Sequence, residues 1–220
     1  MSESYDPQRM GRVLRLGMEE ILGAEGLHSL LEIAGVPASE AATRLNLPAQ
    51  DGLRVSAPFT EQGDESLLPA ALAHVLAVLE QVYGPAAGRG LAQRIGRACF
   101  QYGLQAYGST LGITSTSFRL LPLPSKLYTF AGALAQLFNG PLGQGVRVEE
   151  RDGKLLWHMQ ACPLCTERHS DEPICLLAAG LAEESLYWLS GGKMFSVEEV
   201  TCIARGDRTC TLQVDETPLS

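Results

Sequence analysis

The sequence predicts an α+β protein in which helices come first and a small antiparallel sheet comes last. Apolar side chains recur at helical spacing from residue 10 to residue 138, then alternate by twos around an Asp-Gly turn and an Arg-Gly-Asp-Arg turn. The length, 220 residues, allows a real core without disulfide staples.

Met10, Val13, Leu14, Gly17, Met18, Ile21 and Leu22 fall on one helical stripe, with Gly23 and Gly26 as its stop. Residues 27–34 make a shorter helix before Pro37. Residues 46–64, punctuated by Pro48, Gly52, Pro58 and Gly63, read as a long connection and a boundary between two parts of the chain. Leu68, Leu72, Val75, Leu79 and Val82 then repeat at helical spacing until Gly84-Pro85, and Leu91, Ile95, Cys99, Tyr102 and Ala106 do so in the next helix. His74 and Cys99 read as packed core groups. The glycines of GRGLAQRIG, residues 88–96, lack the GxGxxG spacing and follow no strand, so they make no nucleotide site.

Ser125 is placed to cap a helix whose Leu127, Phe130, Leu134 and Phe138 share a face, and Asn139-Gly140-Pro141 closes it. The uncharged run 127–146 is interrupted by Gln136, Asn139-Gly140-Pro141 and Gln144, which makes it a buried helix and turn rather than a membrane span. GVRVEERDGKLLWHM carries Asp152-Gly153, a strong hairpin signal, and alternation puts Leu155, Trp157 and Met159 on one face, Leu156, His158 and Gln160 on the other. Pro173 suits a first helical position, Gly191-Gly192 a helix end, and residues 193–204 and 209–214 two strands joined through Arg205-Gly206-Asp207-Arg208.

A formal charge of -8 with scattered arginines leaves no footprint for a phosphate backbone, so nucleic acid is not an expected partner. MSESYDPQRM has no basic or apolar signal region, and a reducing cytoplasm is the expected setting. There, clustered cysteines are metal ligands or redox groups more often than disulfides. CPLCTERHSDEPIC, residues 162–175, brings together three of the chain's six cysteines. Cys162 and Cys165 sit in the loop after the first hairpin, Cys175 near a helix start, and Cys202 and Cys210 on facing strands, where paired side chains lie roughly 5 Å apart. That spacing suits two thiolates on one metal and equally a disulfide; the compartment favours the metal. Glu199 or a further cysteine completes a tetrahedral set. On a regular strand Glu199 and Cys202 point to opposite faces, so a bulge between them is required if both bind. The CPLC pair has the spacing of a zinc knuckle half and also of a redox motif.

DEPICLLAAGLAEESLYWLSGG followed by EEVTCIARGDRTCTLQV resembles the 4-vinyl reductase domain, whose hallmark is a helix-start cysteine and an E-x-x-C…GD-x-x-C ending. The resemblance is specific across residues 145–214 and weaker across 66–144. It implies a helical layer packed on a small antiparallel sheet, similar to subunits of the vesicle-tethering TRAPP complex, and a homodimer. It divides the chain into an N-terminal helical extension and connection, 1–64, and a ligand-binding domain, 65–214. Phenol-sensing members hold a zinc through three cysteines and a glutamate, which fall here on Cys175, Glu199, Cys202 and Cys210; Cys162 and Cys165 are extra. The implied function is the binding of a small hydrophobic or aromatic molecule beside a structural zinc, as a sensor, accessory or carrier protein, with Trp157, Phe130, Phe138 and Tyr107 expected around the ligand. No catalytic residue is identified, and no dinucleotide fingerprint supports hydride transfer. A bacteriochlorophyll-pathway enzyme or accessory factor, an iron–sulfur or redox protein using CPLC, and a zinc-stapled dimeric scaffold are the alternatives.

Overall fold

A computed structural model describes residues 6–36, 67–140 and 143–219. The boundary expected at 46–64 lies outside them. Six helices and four strands follow in the order α1 (Pro7–Ile33), α2 (Leu67–Tyr83), α3 (Pro85–Tyr107), α4 (Thr116–Arg119), α5 (Leu123–Asn139), β1 (Val146–Arg151), β2 (Lys154–Met159), α6 (Leu176–Ser190), β3 (Val197–Thr201) and β4 (Cys210–Asp215).

The Asp6 carboxylate caps α1 by accepting from the Gln8 N–H at 3.0 Å, and Pro7 takes the first turn, where a missing donor costs nothing. The two N-terminal helices expected from the sequence are one element kinked at Gly23, whose φ of 74° is open to glycine alone without strain. Gly84 separates α2 from α3 as expected. Helix α5 starts at Leu123 rather than at Ser125, because Pro124 fits inside the first turn instead of ending the preceding loop. Pro173 stays outside α6, which is entered through Cys175, and left-handed Gly191 (φ 75°) ends it. Asp152 (φ 54°) and Gly153 (φ 73°) make the tight two-residue turn of the β1–β2 hairpin.

The sheet is antiparallel throughout, in the order β1-β2-β4-β3. Trp157 pairs with Val148 and Leu212, and Met159 with Cys210, so the Leu155, Trp157, Met159 face of β2 continues onto β4 and looks toward the helices. The buried faces of α1 and α2 (Val13, Leu14, Met18; Leu72, Val75, Leu79) join α3 and the cysteines in one core cluster. Both stripes are therefore covered within one chain, and they leave no bare face to demand a second copy. A second cluster, around Phe100, Ile113, Phe118, Phe130, Leu155 and Leu186, fills the other end of the layer. Cys99 is core as expected, its thiol pushed up to about 12 by burial. His74 instead lies on the exposed side of α2, one residue off the stripe.

Candidate functional site

Five cysteines converge where the CPLC loop, the entrance of α6 and the β3–β4 end of the sheet meet. All five are buried, and Cys175, Cys202 and Cys210 have no exposed surface at all. Their sulfurs are in mutual contact: Cys162 to Cys175 3.4 Å, Cys165 to Cys175 3.3 Å, Cys165 to Cys210 3.4 Å, Cys165 to Cys202 3.6 Å, and Cys175 to Cys210 3.6 Å. Glu199 is the sixth donor. One carboxylate oxygen accepts the Cys175 N–H at 2.7 Å, while the other is buried without a hydrogen bond. Two groups of four have every donor atom within 4.8 Å of the others: Cys162, Cys165, Cys175 and Cys210, and Cys175, Glu199, Cys202 and Cys210.

The chain reaches this geometry through local devices. Cys175 is the N-cap of α6, so the helix start carries it to the sheet end. The strand pairing steps from Glu199 opposite Leu212 to Thr201 opposite Thr211, which leaves Val200 as an extra residue. This is the bulge that the alternation requires, and it lets Glu199 and Cys202 reach the same side. After Cys202 a 3-10 turn (Ile203–Arg205) and left-handed Gly206 (φ 97°) return the chain, and Asp207 ties it by accepting the Cys202 N–H at 2.8 Å. Deleting Val200 is expected to restore strict alternation and turn Glu199 away from Cys202; the variant should lose bound metal in elemental analysis while far-UV circular dichroism stays close to that of the parent.

Electrostatically the cluster asks for a cation. Hydrogen bonds donated by Cys162 and Cys175 hold the Cys165 thiol below its ordinary range, and the Ala204 N–H adds to this. Cys202 is lowered by the Cys175 thiol and by the Ile174 N–H. Cys175, which does the donating, is pushed up by its neighbours and by burial. Five sulfurs in a dry space thus share protons, because full ionisation without positive charge would cost several kcal/mol per ion. The Ile203 N–H also donates to Cys210 Sγ at 3.2 Å. Buried thiols, peptide donors aimed at sulfur and an orphaned carboxylate oxygen fit a bound metal ion.

Beside the cluster lies an apolar cavity of about 170 Å³. Its walls come from β2 (Leu155, Trp157, Met159), β4 (Leu212, Val214), α5 (Phe130, Phe138), α6 (Leu177, Leu181) and Met10 and Leu14 of α1, with Gln144 and Ser185 as its polar side chains. Trp157 packs edge-on against Phe138, ring centroids 6.2 Å apart. The structure brings together Trp157, Phe130 and Phe138. Tyr107 instead lines a neighbouring cavity of about 60 Å³, held there by its hydroxyl on the Asp6 carbonyl at 3.3 Å and by Arg9 over its ring. Gln144, Ser185 and the α1 residues escaped the sequence reading, since nothing local announces which helix will roof a strand. Pro163 and Leu164, the two residues inside CPLC, are also cavity wall. Arg168, four residues past Leu164, bonds the Leu164 carbonyl and Glu80 of α2, and Arg89 of α3 pairs with Glu80 and Glu172, so this loop is clamped to the helices. No described helix is long and apolar enough to cross a membrane.

In solved structures the fold recurs at low sequence identity. A trafficking protein particle complex subunit 3 from Naegleria fowleri, covalently bound to palmitic acid, is 16% identical with a TM-score of 0.53, covering 70% of this chain and 96% of that one. An H-NOX protein from S. oneidensis in the Fe(II)NO ligation state is 13% identical with a TM-score of 0.54, covering 97% and 99%. The same protein's triple mutant in the Fe(II) state gives 14% and 0.51, covering 97% and 96%. A comparison with curated protein sequences gives no match. The 4-vinyl reductase domain model matches residues 157–216, the stretch that contributes all five clustered cysteines, Glu199 and α6. It is through this segment that the chain belongs with the 4-vinyl reductase domain family.

Proposed function

We propose that the protein binds a small apolar molecule of about single-ring size in the cavity under Trp157, with structural zinc in the cysteine cluster holding the cavity wall in place. The observation that carries this is the cavity itself, which is lined almost wholly by carbon and has two buried polar side chains, Gln144 and Ser185, to orient a ligand. An apolar protein cavity of about 150 Å³ stays dry and takes up benzene, so about 170 Å³ suits a molecule of that order. Ligand sites of this kind are apolar with a few placed polar groups. The likeness to proteins that hold palmitic acid or NO supports a fold that hosts small apolar guests. A tetrapyrrole, many times the size of benzene, needs far more room than this cavity offers.

Zinc suits the donors because thiolate and carboxylate ligands in a closed shell are its structural habit, and a Zn–S bond near 2.3 Å sets tetrahedral sulfurs roughly 3.8 Å apart, close to the 3.3–3.6 Å seen here. A cubane iron–sulfur cluster does not fit between sulfurs so close. In a reducing cytoplasm the set would be loaded and closed, which makes the protein a sensor or carrier rather than an enzyme.

Titration with benzene, phenol, indole, palmitate and a vinyl tetrapyrrole, following Trp157 emission in a Trp188→Phe background, tests the reading. Saturable shifts with the single-ring compounds, weakened about tenfold or more by Leu181→Trp, which fills the cavity, are the expected result. Shifts with none of the panel would end the binding proposal, and tight binding of palmitate alone would replace the ring with an acyl chain.

A further inference from the structure

We infer that the cysteine cluster is built for two metal ions bridged by thiolates. This rests on the metal reading above and goes beyond it in number. One tetrahedral ion uses four donors, whereas six converge here: Cys162, Cys165, Cys175, Cys202, Cys210 and Glu199. The two groups of four share two members, Cys175 and Cys210, whose sulfurs are 3.6 Å apart. Two four-coordinate ions need eight donor positions. Six donors supply them when two thiolates are each counted twice, and a thiolate sulfur has the lone pairs to bind two cations at once. The first ion then takes Cys162 and Cys165 with the shared pair, and the second takes Cys202 and Glu199.

A single ion leaves the cluster unsatisfied whichever group it chooses. On the first group it leaves the Cys202 thiol and the buried, unbonded Glu199 oxygen without a partner, and a buried polar atom without one is costly. On the second it strands Cys162 and Cys165, packed at 3.3–3.4 Å against bound thiolates. With two divalent ions, four positive charges face five thiolates and one carboxylate, a residual charge of the size that one ion with four thiolates would carry. The contact of 3.6 Å between Cys165 and Cys202 shows that the groups interleave. Seating two ions parts these terminal sulfurs and leaves Cys175 and Cys210 between the metals. The movement falls on the Cys162–Cys165 loop, a short turn closed by the Cys165 N–H on the Cys162 carbonyl at 3.2 Å, which shifts as a unit.

Metal counting decides the matter. The full chain, refolded with excess zinc under reductant and passed through a desalting column, should carry two zinc per chain by elemental analysis. One per chain overturns the two-ion site and leaves the single-ion reading standing; none overturns both. Cys165→Ser and Cys202→Ser, each removing a terminal ligand of one ion, should fall from two to one. Cobalt titration of the unaltered chain does not depend on any variant folding. Thiolate-to-cobalt absorbance should rise linearly to two equivalents, and the paramagnetic resonance signal should grow with the first and fall with the second as bridging sulfur couples the spins. A signal that keeps growing to the end point would refute the bridge.

Discussion

Stripping the metal with a strong chelator under reductant is expected to lower the melting temperature by about 20 °C or more, and Cys175→Ser to do the same. Structural zinc contributes roughly 10–16 kcal/mol to the small domains it holds, against a net stability of roughly 5–15 kcal/mol for a typical domain. A chain of this size melts roughly 2–4 °C lower per kcal/mol lost. Cys175 is the sensitive position because it touches Cys162, Cys165 and Cys210, caps α6 and positions Glu199 through its N–H. The damage should be uneven. Phe100, Phe118, Phe130 and Leu186 belong to a core cluster that contains none of the five cysteines, so α5 and the outer part of α6 should keep their amide protection. Residues 162–176 and 197–210 should exchange freely, and with them goes the Pro163–Leu164 stretch of cavity wall. Hydrogen exchange with mass spectrometry reads both regions at once. A metal-free protein that melts where the loaded one does would show that packing alone closes the sheet end.

The elements that the sequence disclosed are those with local causes. Asp152-Gly153 dictated a hairpin, Gly191 a helix end and Gly84 a break, because each φ they adopt is one that few residues tolerate. Strand alternation was enough to place Trp157 in the cavity, and the opposite facing of Glu199 and Cys202 was enough to require the bulge now found at Val200. Long-range docking left no such trace. Met10 and Leu14 reach the cavity only because α1 folds back across α3, and Tyr107 leaves it because its hydroxyl finds Asp6, far upstream in the chain. Cys162 and Cys165 read as the outlying pair, yet Cys165 touches three other cysteines, since a loop's course is set by the clamp of Arg168 on Glu80 rather than by its own residues.

Alanine at Gly96 or Gly180 is expected to destabilise the protein, against the usual sign for a glycine inside a helix. Replacing helical glycine by alanine ordinarily stabilises by roughly 0.5–1 kcal/mol through lost chain entropy. At these two sites α3 and α6 cross with backbone against backbone. A Cβ on Gly96 would lie 2.0 Å from the Leu177 carbonyl oxygen, and one on Gly180 would lie 1.9 Å from the Gln93 carbonyl oxygen. Backbone cannot rotate away as a flexible side chain can, so the helices must part, and overpacking of this kind costs roughly 1–3 kcal/mol or more. The steric term wins. Parting them also disturbs Glu183, which accepts from Gln93 and Arg97 across the same crossing, and draws Leu177 and the Cys175 cap away from the sheet end. Gly90 supplies the control from the same GRGLAQRIG stretch: it is exposed, and a Cβ there meets nothing within 4 Å. Gly90→Ala should raise the melting temperature by a few degrees while Gly96→Ala and Gly180→Ala lower it, and the double variant Gly96→Ala/Gly180→Ala should fall well below either. Thermal melts of the four proteins against the parent settle it, and a rise with Gly180→Ala would mean that the two helices do not cross at this distance.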